Sequence, residues 1–262
     1  MTDESLPPIA IRASGLEVRY GDKVAVSGVD LEVAKGSLLS VIGPNGAGKS
    51  ALLSALAGTV EVTTGEVMIE GGDPALVLQA THVDPSLQIT VRDAVALARY
   101  PHRGIFQRMR AKDREVIDES IERMKITHLA GSQFHQISGG ERQRVLVAQG
   151  LAQESSVLLL DEPISGLHIV SQALILDAIN EELDRGRTLV VTTHDLEDAR
   201  RSSQVLLLCT EPCCVGTPDF VLTDAHLRMA FGGHHLRISQ NLTLDDPDHI
   251  HRSVSSPNLT SA

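Results

Sequence analysis

The spacing of hydrophobic residues divides the chain into three regions that predict different secondary structure. From Ile11 to Glu70 the apolar residues form short runs broken by turn residues, which is typical of β-strands. From Val91 to Met124 they recur at helical spacing, which predicts helices. From Gly140 onward, helical stretches alternate with short apolar runs. The predicted strands are 16–20, 29–33, 37–42, 66–70, 157–160, 188–193 and 204–209, and the best-defined helices are 50–57, 140–153 and 171–185.

This order predicts an α/β fold, because alternating helices and apolar strands build a parallel sheet flanked by helices. We expect one domain at residues 9–236. It would contain a core with a mixed, mainly parallel sheet, an antiparallel β-subdomain and a helical subdomain at about 90–155. After Arg237 the sequence is rich in Ser, Asn, Asp, Pro and His, which predicts a polar tail at 237–262. The histidines in and near this tail are irregularly spaced, which favours a solvated segment over a metal site.

The segment after the strand predicted at 37–42 has the pattern G-x-x-x-x-G-K-S, which is typical of a phosphate-binding loop (P-loop). Its glycines let backbone N–H groups face a phosphate, and the helix that follows adds its positive end. Lys49 is expected to reach the β- and γ-phosphates, and Ser50 to bind Mg²⁺. The sequence therefore predicts a P-loop nucleotide-binding core, with a binding loop made of Gly43, Pro44, Asn45, Gly46, Ala47, Gly48, Lys49 and Ser50.

Three further segments stand in the order of the ATP-binding cassette (ABC) family, which the chain resembles from about residue 10 to residue 235. Ile137–Arg144 is similar to the family's signature sequence, Val157–Pro163 to its Walker B strand, and Val191–Asp195 to the segment that carries its switch histidine. The resemblance implies an ATPase that binds ATP and Mg²⁺, with the signature carried by the helical subdomain.

The resemblance also implies roles for four residues outside the P-loop. Asp161 follows a buried strand, so its carboxylate emerges at the carboxyl edge of the sheet and suits Mg²⁺ coordination. Glu162 is the implied catalytic residue that polarises the attacking water. His194 is implied to contact the γ-phosphate, and Tyr20 to stack on the adenine ring.

Three positions fit the family less closely. Gln79 resembles the glutamine that senses Mg²⁺ and the attacking water, but the stretch before it is short, so Gln88 is an alternative. Ala51 stands where threonine usually follows the loop serine, which removes one hydroxyl contact to the α-phosphate at this nucleotide-binding position. His168 stands where aspartate is usual, which puts the communication between two subunits in question.

The signature segment has both a structural and a functional interpretation. Ser138 and Glu141 fit a capping box, which stabilises the start of a helix. A capping box does not require glycine at its two middle positions. Gly139 and Gly140, which lack side chains, leave the end of the helix open to an anion. In the family, that anion is the γ-phosphate of ATP held by a second subunit. All four residues are therefore implied nucleotide contacts in a head-to-tail dimer.

Composition narrows the class of partner. A net charge of −11 argues against nucleic acid, which needs clustered Lys and Arg. The acidic, proline-containing start lacks the features of a secretory signal, so we expect a cytoplasmic protein, and no apolar run approaches the length of a membrane span. For Cys209, Cys213 and Cys214 we expect strand packing rather than a redox or metal role.

Two segments suggest the branch of the family. Val91–Arg103 and Ala230–His234 look like segments of importer ATPases that serve manganese, zinc and iron chelates. The implied partners are a second ATP-binding subunit, a transmembrane permease and a solute-binding protein, with the chain peripheral on the inner face of the membrane. Three alternatives stay open: an ABC ATPase of another transporter, a soluble ABC ATPase such as one of iron–sulfur assembly, and a binding module without turnover.

Overall fold

Two β-sheets organise the described part of the chain, which comprises residues 7–79, 86, 88–100 and 109–231 of the computed structural model. The smaller sheet is antiparallel and has the strand order β2-β1-β4, which confirms the predicted antiparallel β-subdomain. Its strands are β1 (Ile9–Tyr20), β2 (Lys23–Ala34) and β4 (Thr64–Ile69).

The larger sheet is parallel except for one edge strand and has the order β5-β6-β7-β3-β8-β9. Only the last pair, β8 and β9, is antiparallel. The mainly parallel sheet predicted from the alternating pattern is thereby confirmed. Its strands are β3 (Leu38–Ile42), β5 (Ala75–Val77), β6 (Val157–Leu160), β7 (Thr188–Thr192), β8 (Gln204–Cys209) and β9 (Glu211–Gly216).

Helices cover the sheets and form a separate group near the signature. The helices are α1 (Lys49–Leu56), α2 (Val91–Ala96), α3 (Ala111–Arg123), α4 (Gly139–Ala152), α5 (Ile169–Asp184), α6 (Leu196–Arg200), α7 (Pro218–Val221) and α8 (Asp224–Phe231). Helices α2, α3 and α4 pack against one another, as expected of a helical subdomain. In the described ranges, none of the helices is both long and apolar enough to cross a bilayer.

The central strands of the larger sheet are buried on both faces. In β6, Leu158 and Leu160 pack toward the helical group and α5, whereas Val157 and Leu159 pack toward α1 and the smaller sheet. This alternation follows from the two-residue period of a strand. Because both faces are covered, β6 and β7 consist of nearly continuous apolar residues, and polar side chains emerge only where these strands end.

The structure extends the predicted elements in two places. β1 and β2 each run for 12 residues, because Gly15 adopts a left-handed φ of 57° at a bulge and the strand continues past it. The short strands β5 and β9 and the helices α6 to α8 were not predicted, since they are brief and carry weak periodicity. The predicted polar tail at 237–262 lies outside the described residues, as does His234.

Candidate active site

The P-loop joins β3 to α1 and is shaped by two glycines that lie against neighbouring backbone. A Cβ on Gly48, whose φ is 95°, would lie 2.2 Å from the carbonyl oxygen of Ala25, and one on Gly43 would lie 2.0 Å from that of Leu208. Such approaches are too short for any side chain, so only glycine fits at these positions. Because Ala25 belongs to β2 and Leu208 to β8, the loop is held between the two sheets.

Lys49 places an ammonium group at the centre of this loop. Its Nζ donates to the carbonyl oxygens of Gly43 at 2.8 Å and Pro44 at 3.2 Å, and the residue is only 6% exposed. The end of α1 beside it receives no side-chain cap from Gly48, and its first turn carries no acidic residue. A buried ammonium and an uncapped helix N-terminus both favour an anion, so these residues fit phosphate.

The remaining P-loop positions divide between exposed and buried. Asn45, Gly46 and Ser50 are exposed, and Ser50 lies in the first turn of α1, where an exposed hydroxyl suits a metal ligand. Ala47 and Ala51 are buried, and the methyl group of Ala51 belongs to the core beneath α1. Any contact of Ala51 with a nucleotide would therefore come through its backbone N–H.

Thr192 links the two acidic residues that follow β6, a connection that sequence reasoning missed. It is fully buried at the end of β7, and its hydroxyl donates to Oδ1 of Asp161 at 2.7 Å. The same hydroxyl oxygen accepts a hydrogen bond from the backbone N–H of Glu162 at 2.8 Å. One side chain thereby orients Asp161 and Glu162 together. The available signal was a hydroxyl residue at the end of an otherwise apolar strand.

Glu162 and His194 are in direct contact at the same edge of the sheet. Nε2 of His194 lies 2.5 Å from Oε1 of Glu162, and both residues line an open cleft. The hydrogen bond with His194 lowers the pKa of Glu162, and the nearby Lys49 adds to this, although burial opposes the shift. Glu162 is therefore a carboxylate at neutral pH, and its left-handed φ of 45° is fixed by bonds at both its backbone and its side chain.

Gln79 lies close in the fold to these acids. It follows β5, which pairs in parallel with β6, and the backbone N–H of Asp161 donates to the carbonyl oxygen of Val77 at 2.8 Å. Gln79 is exposed just beyond this strand end. Gln88 is also exposed but belongs to no strand of the sheet. The placement favours Gln79.

Tyr20 stands at the end of the hairpin that supports the P-loop. It pairs with Lys23 across the β1–β2 turn and is 53% exposed, an unusual position for an aromatic ring. Ala25 and Val26, a few residues further along the same hairpin, contact Gly48. An exposed ring beside a phosphate loop suits stacking on a flat ligand.

The signature segment begins α4 as the predicted capping box. The Ser138 hydroxyl accepts a hydrogen bond from the backbone N–H of Glu141, whose carboxylate in turn accepts from the backbone N–H of Ser138 at 2.9 Å. A Cβ on Gly139 would meet no described atom within 4 Å, and one on Gly140 would make only ordinary contacts, with Ser171 and Leu167. Packing within the described chain therefore does not require glycine at either position.

The start of α5 lies beside this segment and is unusually apolar for a surface. His168 precedes α5 and gives it no side-chain cap, and Ile169 and Val170 are 71% and 62% exposed. The contact between Gly140 and Ser171 places this apolar pair next to the start of α4.

The structure thus brings the P-loop, Asp161, Glu162, His194 and Gln79 to one edge of the sheet, and places Ser138–Glu141 against α5 instead.

Comparison with known proteins identifies the family. The ABC transporter family model matches residues 26–165. The chain is 34% identical to the manganese transport system ATP-binding protein MntB of Listeria innocua over 83% of this chain and 94% of that protein. It is 36% identical to the hemin import ATP-binding protein HmuV of Pseudomonas fluorescens over 85% of this chain and 92% of that one.

A solved structure gives the same result for the fold. A chain of a transporter described as of the metal-chelate type, in an inward-facing conformation, superposes with a TM-score of 0.77 at 28% identity, covering 86% of this chain and 89% of that chain. The resemblance inferred from the signature, Walker B and histidine segments is confirmed. The chain belongs to the ABC transporter family and is an ATP-binding, ATP-hydrolysing subunit of that family.

Proposed function

We propose that this ATPase powers the uptake of a metal ion or metal chelate through a separate membrane permease. The observation that carries the proposal is the gathering of Lys49, Asp161, Glu162 and His194 around β3, β6 and β7, in a chain about one third identical to manganese and hemin import subunits. These two relatives are named for the transport of manganese and the import of hemin, so the cargo of each contains a metal, either free or chelated. We therefore assign metal ions and metal chelates as the substrate class.

In this proposal the described residues perform ATP hydrolysis at one edge of the sheet. Lys49 and the backbone N–H groups of the P-loop bind the phosphates. Ser50, Gln79 and Asp161 are the residues that would hold Mg²⁺, which neutralises charge on the phosphates when bound. Glu162, ionised at neutral pH, orients the attacking water and accepts its proton. His194 holds Glu162 in place through their hydrogen bond.

A second copy of the subunit would complete the site. Among the described residues, no atom lies within 4 Å of a Cβ placed on Gly139, and Ile169 and Val170 expose an apolar surface nearby. Covering that surface with a second subunit would bring Ser138–Glu141 of one copy to the P-loop of the other, as the family resemblance implies. Under this arrangement an isolated monomer hydrolyses ATP poorly, because each site lacks the residues that its partner supplies.

The permease is expected to dock near the helical group. Leu78, Leu97 and Tyr100 are apolar or aromatic residues that are 50%, 48% and 37% exposed. Leu78 follows β5, and Leu97 begins a 3₁₀ turn after α2. Both β5 and this 3₁₀ turn pack against α4. Residues 9–236 would then act as one ATP-binding domain, with its helical subdomain at about 90–155 turned toward the permease. A solute-binding protein would deliver the cargo from the other side of the membrane.

Affinity purification tests the transport assignment. The tagged chain is purified from detergent-solubilised native membranes and its partners are identified by mass spectrometry. The proposal predicts a polytopic membrane protein together with a solute-binding protein. Recovery of soluble partners alone, with the chain absent from the membrane fraction, would contradict it and favour a soluble ABC ATPase such as one of iron–sulfur assembly.

A pair of matched variants tests where the permease docks. Leu97→Asp should abolish co-purification of the permease, because it places a charge in the proposed apolar contact. Met229→Asp is the control, since Met229 is a similarly exposed residue (59%) on α8. Equal loss of the permease in both variants, or in neither, would contradict this docking surface.

Cellular uptake tests the cargo class. Accumulation of manganese and of iron supplied as a chelate is compared between cells with the wild-type chain and cells with Glu162→Gln. The proposal predicts that uptake of one of these two cargoes is lost in the variant. Unchanged uptake of both would contradict a metal-import role, whatever the partners.

A further inference from the structure

The turn between β8 and β9 consists of one residue, Thr210, whose backbone conformation is strained. Cys209 at the end of β8 pairs with Glu211 at the start of β9, and Thr210 between them has a left-handed φ of 72°. This conformation is costly for a β-branched residue. Such strain persists only where the surrounding structure holds the residue in place, and it is common at functional sites. The bonds that hold Thr210 therefore indicate what the turn does.

Both backbone groups of Thr210 form hydrogen bonds outside its own hairpin. Its N–H donates to the carbonyl oxygen of Ala47 in the P-loop at 3.0 Å. Its carbonyl oxygen accepts from the backbone N–H of Ser27 in β2 at 2.9 Å. The P-loop follows a strand of the larger sheet, whereas β2 belongs to the smaller sheet. Thr210 therefore links the P-loop to the smaller sheet through its own backbone.

The end of the β8–β9 hairpin is fixed against the P-loop at a second point. The carbonyl oxygen of Leu208, two residues before Thr210, lies so close to Gly43 that no side chain fits there. On the other side, β9 packs against β2. The turn is thus enclosed between the P-loop and the smaller sheet, and it cannot shift without moving one of them.

The hairpin of β1 and β2, to which Ser27 belongs, also carries Tyr20. Tyr20 ends β1 and pairs with Lys23 at the start of β2. The Ser27 hydroxyl donates to Oε2 of Glu17 in β1 at 3.0 Å, so Ser27 is bonded to the strand that ends in Tyr20. A displacement of Ser27 would therefore move the exposed ring of Tyr20 as well.

We infer that Thr210 is a positioning residue for ATP, which fixes the distance between the phosphate site and the ring that stacks on the base. The phosphates and the base lie at opposite ends of ATP, and here their binding residues come from different sheets. The alignment of the two sheets thus decides whether one nucleotide contacts both groups of residues. The inference deepens the proposed function and rests on it for the assignment of the P-loop and Tyr20 as ATP contacts.

Two ligands distinguish this alignment from general support of the P-loop. ATP contacts both the P-loop and Tyr20, whereas inorganic tripolyphosphate contacts the P-loop alone. Loss of the bond from Ser27 to Thr210 should loosen the hairpin that carries Tyr20 and leave the bond from Thr210 to Ala47 in place. ATP should then bind more weakly, and tripolyphosphate should bind as it does to the wild type.

Substitutions at Ser27 in the full-length chain test this expectation by calorimetry with each ligand and Mg²⁺. Ser27→Pro removes the N–H that bonds to Thr210, and Ser27→Ala is the matched variant that keeps it. Ser27→Pro should bind ATP roughly two- to tenfold more weakly, which corresponds to one lost hydrogen bond. Ser27→Ala should bind ATP like the wild type. Tyr20→Ala should also weaken ATP alone, and adding Ser27→Pro to it should weaken ATP no further.

Substitutions at Thr210 give a second test that does not depend on the folding of Ser27→Pro. Proline has no N–H and cannot adopt a φ of 72°, so Thr210→Pro should weaken both ligands, and ATP more than tripolyphosphate. Thr210→Gly keeps both backbone groups and adopts this φ without strain, so it should retain the wild-type affinities.

Three results would overturn the inference: unchanged ATP affinity in both Ser27→Pro and Thr210→Pro, equal losses for ATP and tripolyphosphate in these variants, or independent losses in Ser27→Pro and Tyr20→Ala that multiply in the double variant. Failure of the wild type to bind either ligand would instead contradict the assignment of the P-loop as the ATP site. The two kinds of failure are therefore distinguishable.

Discussion

Replacing Thr192 by valine removes the hydroxyl that links Asp161 to Glu162 while keeping the shape of the side chain. The carboxylate of Asp161 then loses a donor, and the backbone N–H of Glu162 loses its acceptor. Each loss in a buried place costs about 1–3 kcal/mol, so the free energy of unfolding should fall by about 3 kcal/mol. For a domain of this size the midpoint of thermal unfolding should fall by roughly 6–12 °C.

The same change should lower catalysis, because the backbone of Glu162 is no longer held in its left-handed conformation. A displacement of a catalytic group by about 1 Å can cost on the order of a hundredfold in rate. We therefore expect the kcat of Thr192→Val to fall by roughly 10- to 100-fold, measured as phosphate release at saturating ATP.

Thr192→Ser is the matched control for this prediction. It keeps the hydroxyl and loses one methyl group, so it should unfold within about 1 kcal/mol of wild type and keep most of its kcat. The reasoning would be refuted if Thr192→Val showed wild-type stability and turnover, or if valine and serine lowered kcat equally.

Four further variants, one of them with a matched control, give independent tests. Glu162→Gln should bind ATP normally but reduce turnover by at least about a hundredfold, whereas Lys49→Ala should weaken ATP binding as well, both read by calorimetry and phosphate release. Glu182→Gln removes a buried carboxylate paired with three arginines and should cost about 3 kcal/mol in urea unfolding, whereas its exposed neighbour Glu181→Gln should cost less than about 1 kcal/mol; equal costs would contradict this. Asp198 has a buried carboxylate oxygen without a hydrogen-bond partner in the described structure, and burial raises its pKa. A raised pKa in the folded state contributes stability below the ordinary pKa that is lost as pH rises through the folded value. Asp198→Asn should therefore raise the free energy of unfolding, by up to about 1 kcal/mol at neutral pH and not at acid pH.

The residues that form the candidate active site could be predicted where they belong to short continuous motifs. The P-loop and the acids after β6 are local patterns, and the carboxyl edge of a parallel sheet gathers them in space. Thr192 was missed because its partners lie 30 and 31 residues away and become neighbours only when β6 pairs with β7.

The secondary structure could be predicted where hydrophobic periodicity is strong. It could not be predicted where packing against other parts of the chain determines whether a segment forms a strand. β6 and β7 are continuous apolar runs and were predicted almost to their bounds. β1 was cut short because Gly15 reads as a turn, although in the fold it is a bulge. β9 combines proline, glycine and two cysteines, so its strand character arises from pairing with β8, and its link to the P-loop could not be inferred from local pattern.

The most direct test of the account is the structure of Glu162→Gln in complex with ATP and Mg²⁺. We predict two copies of the chain related head to tail, with each ATP bound by the P-loop of one copy and by Ser138–Glu141 of the other. Ile169 and Val170 should be buried in the interface between the copies. ATP bound away from Lys49, or a dimer whose interface excludes the start of α4, would contradict the central claim.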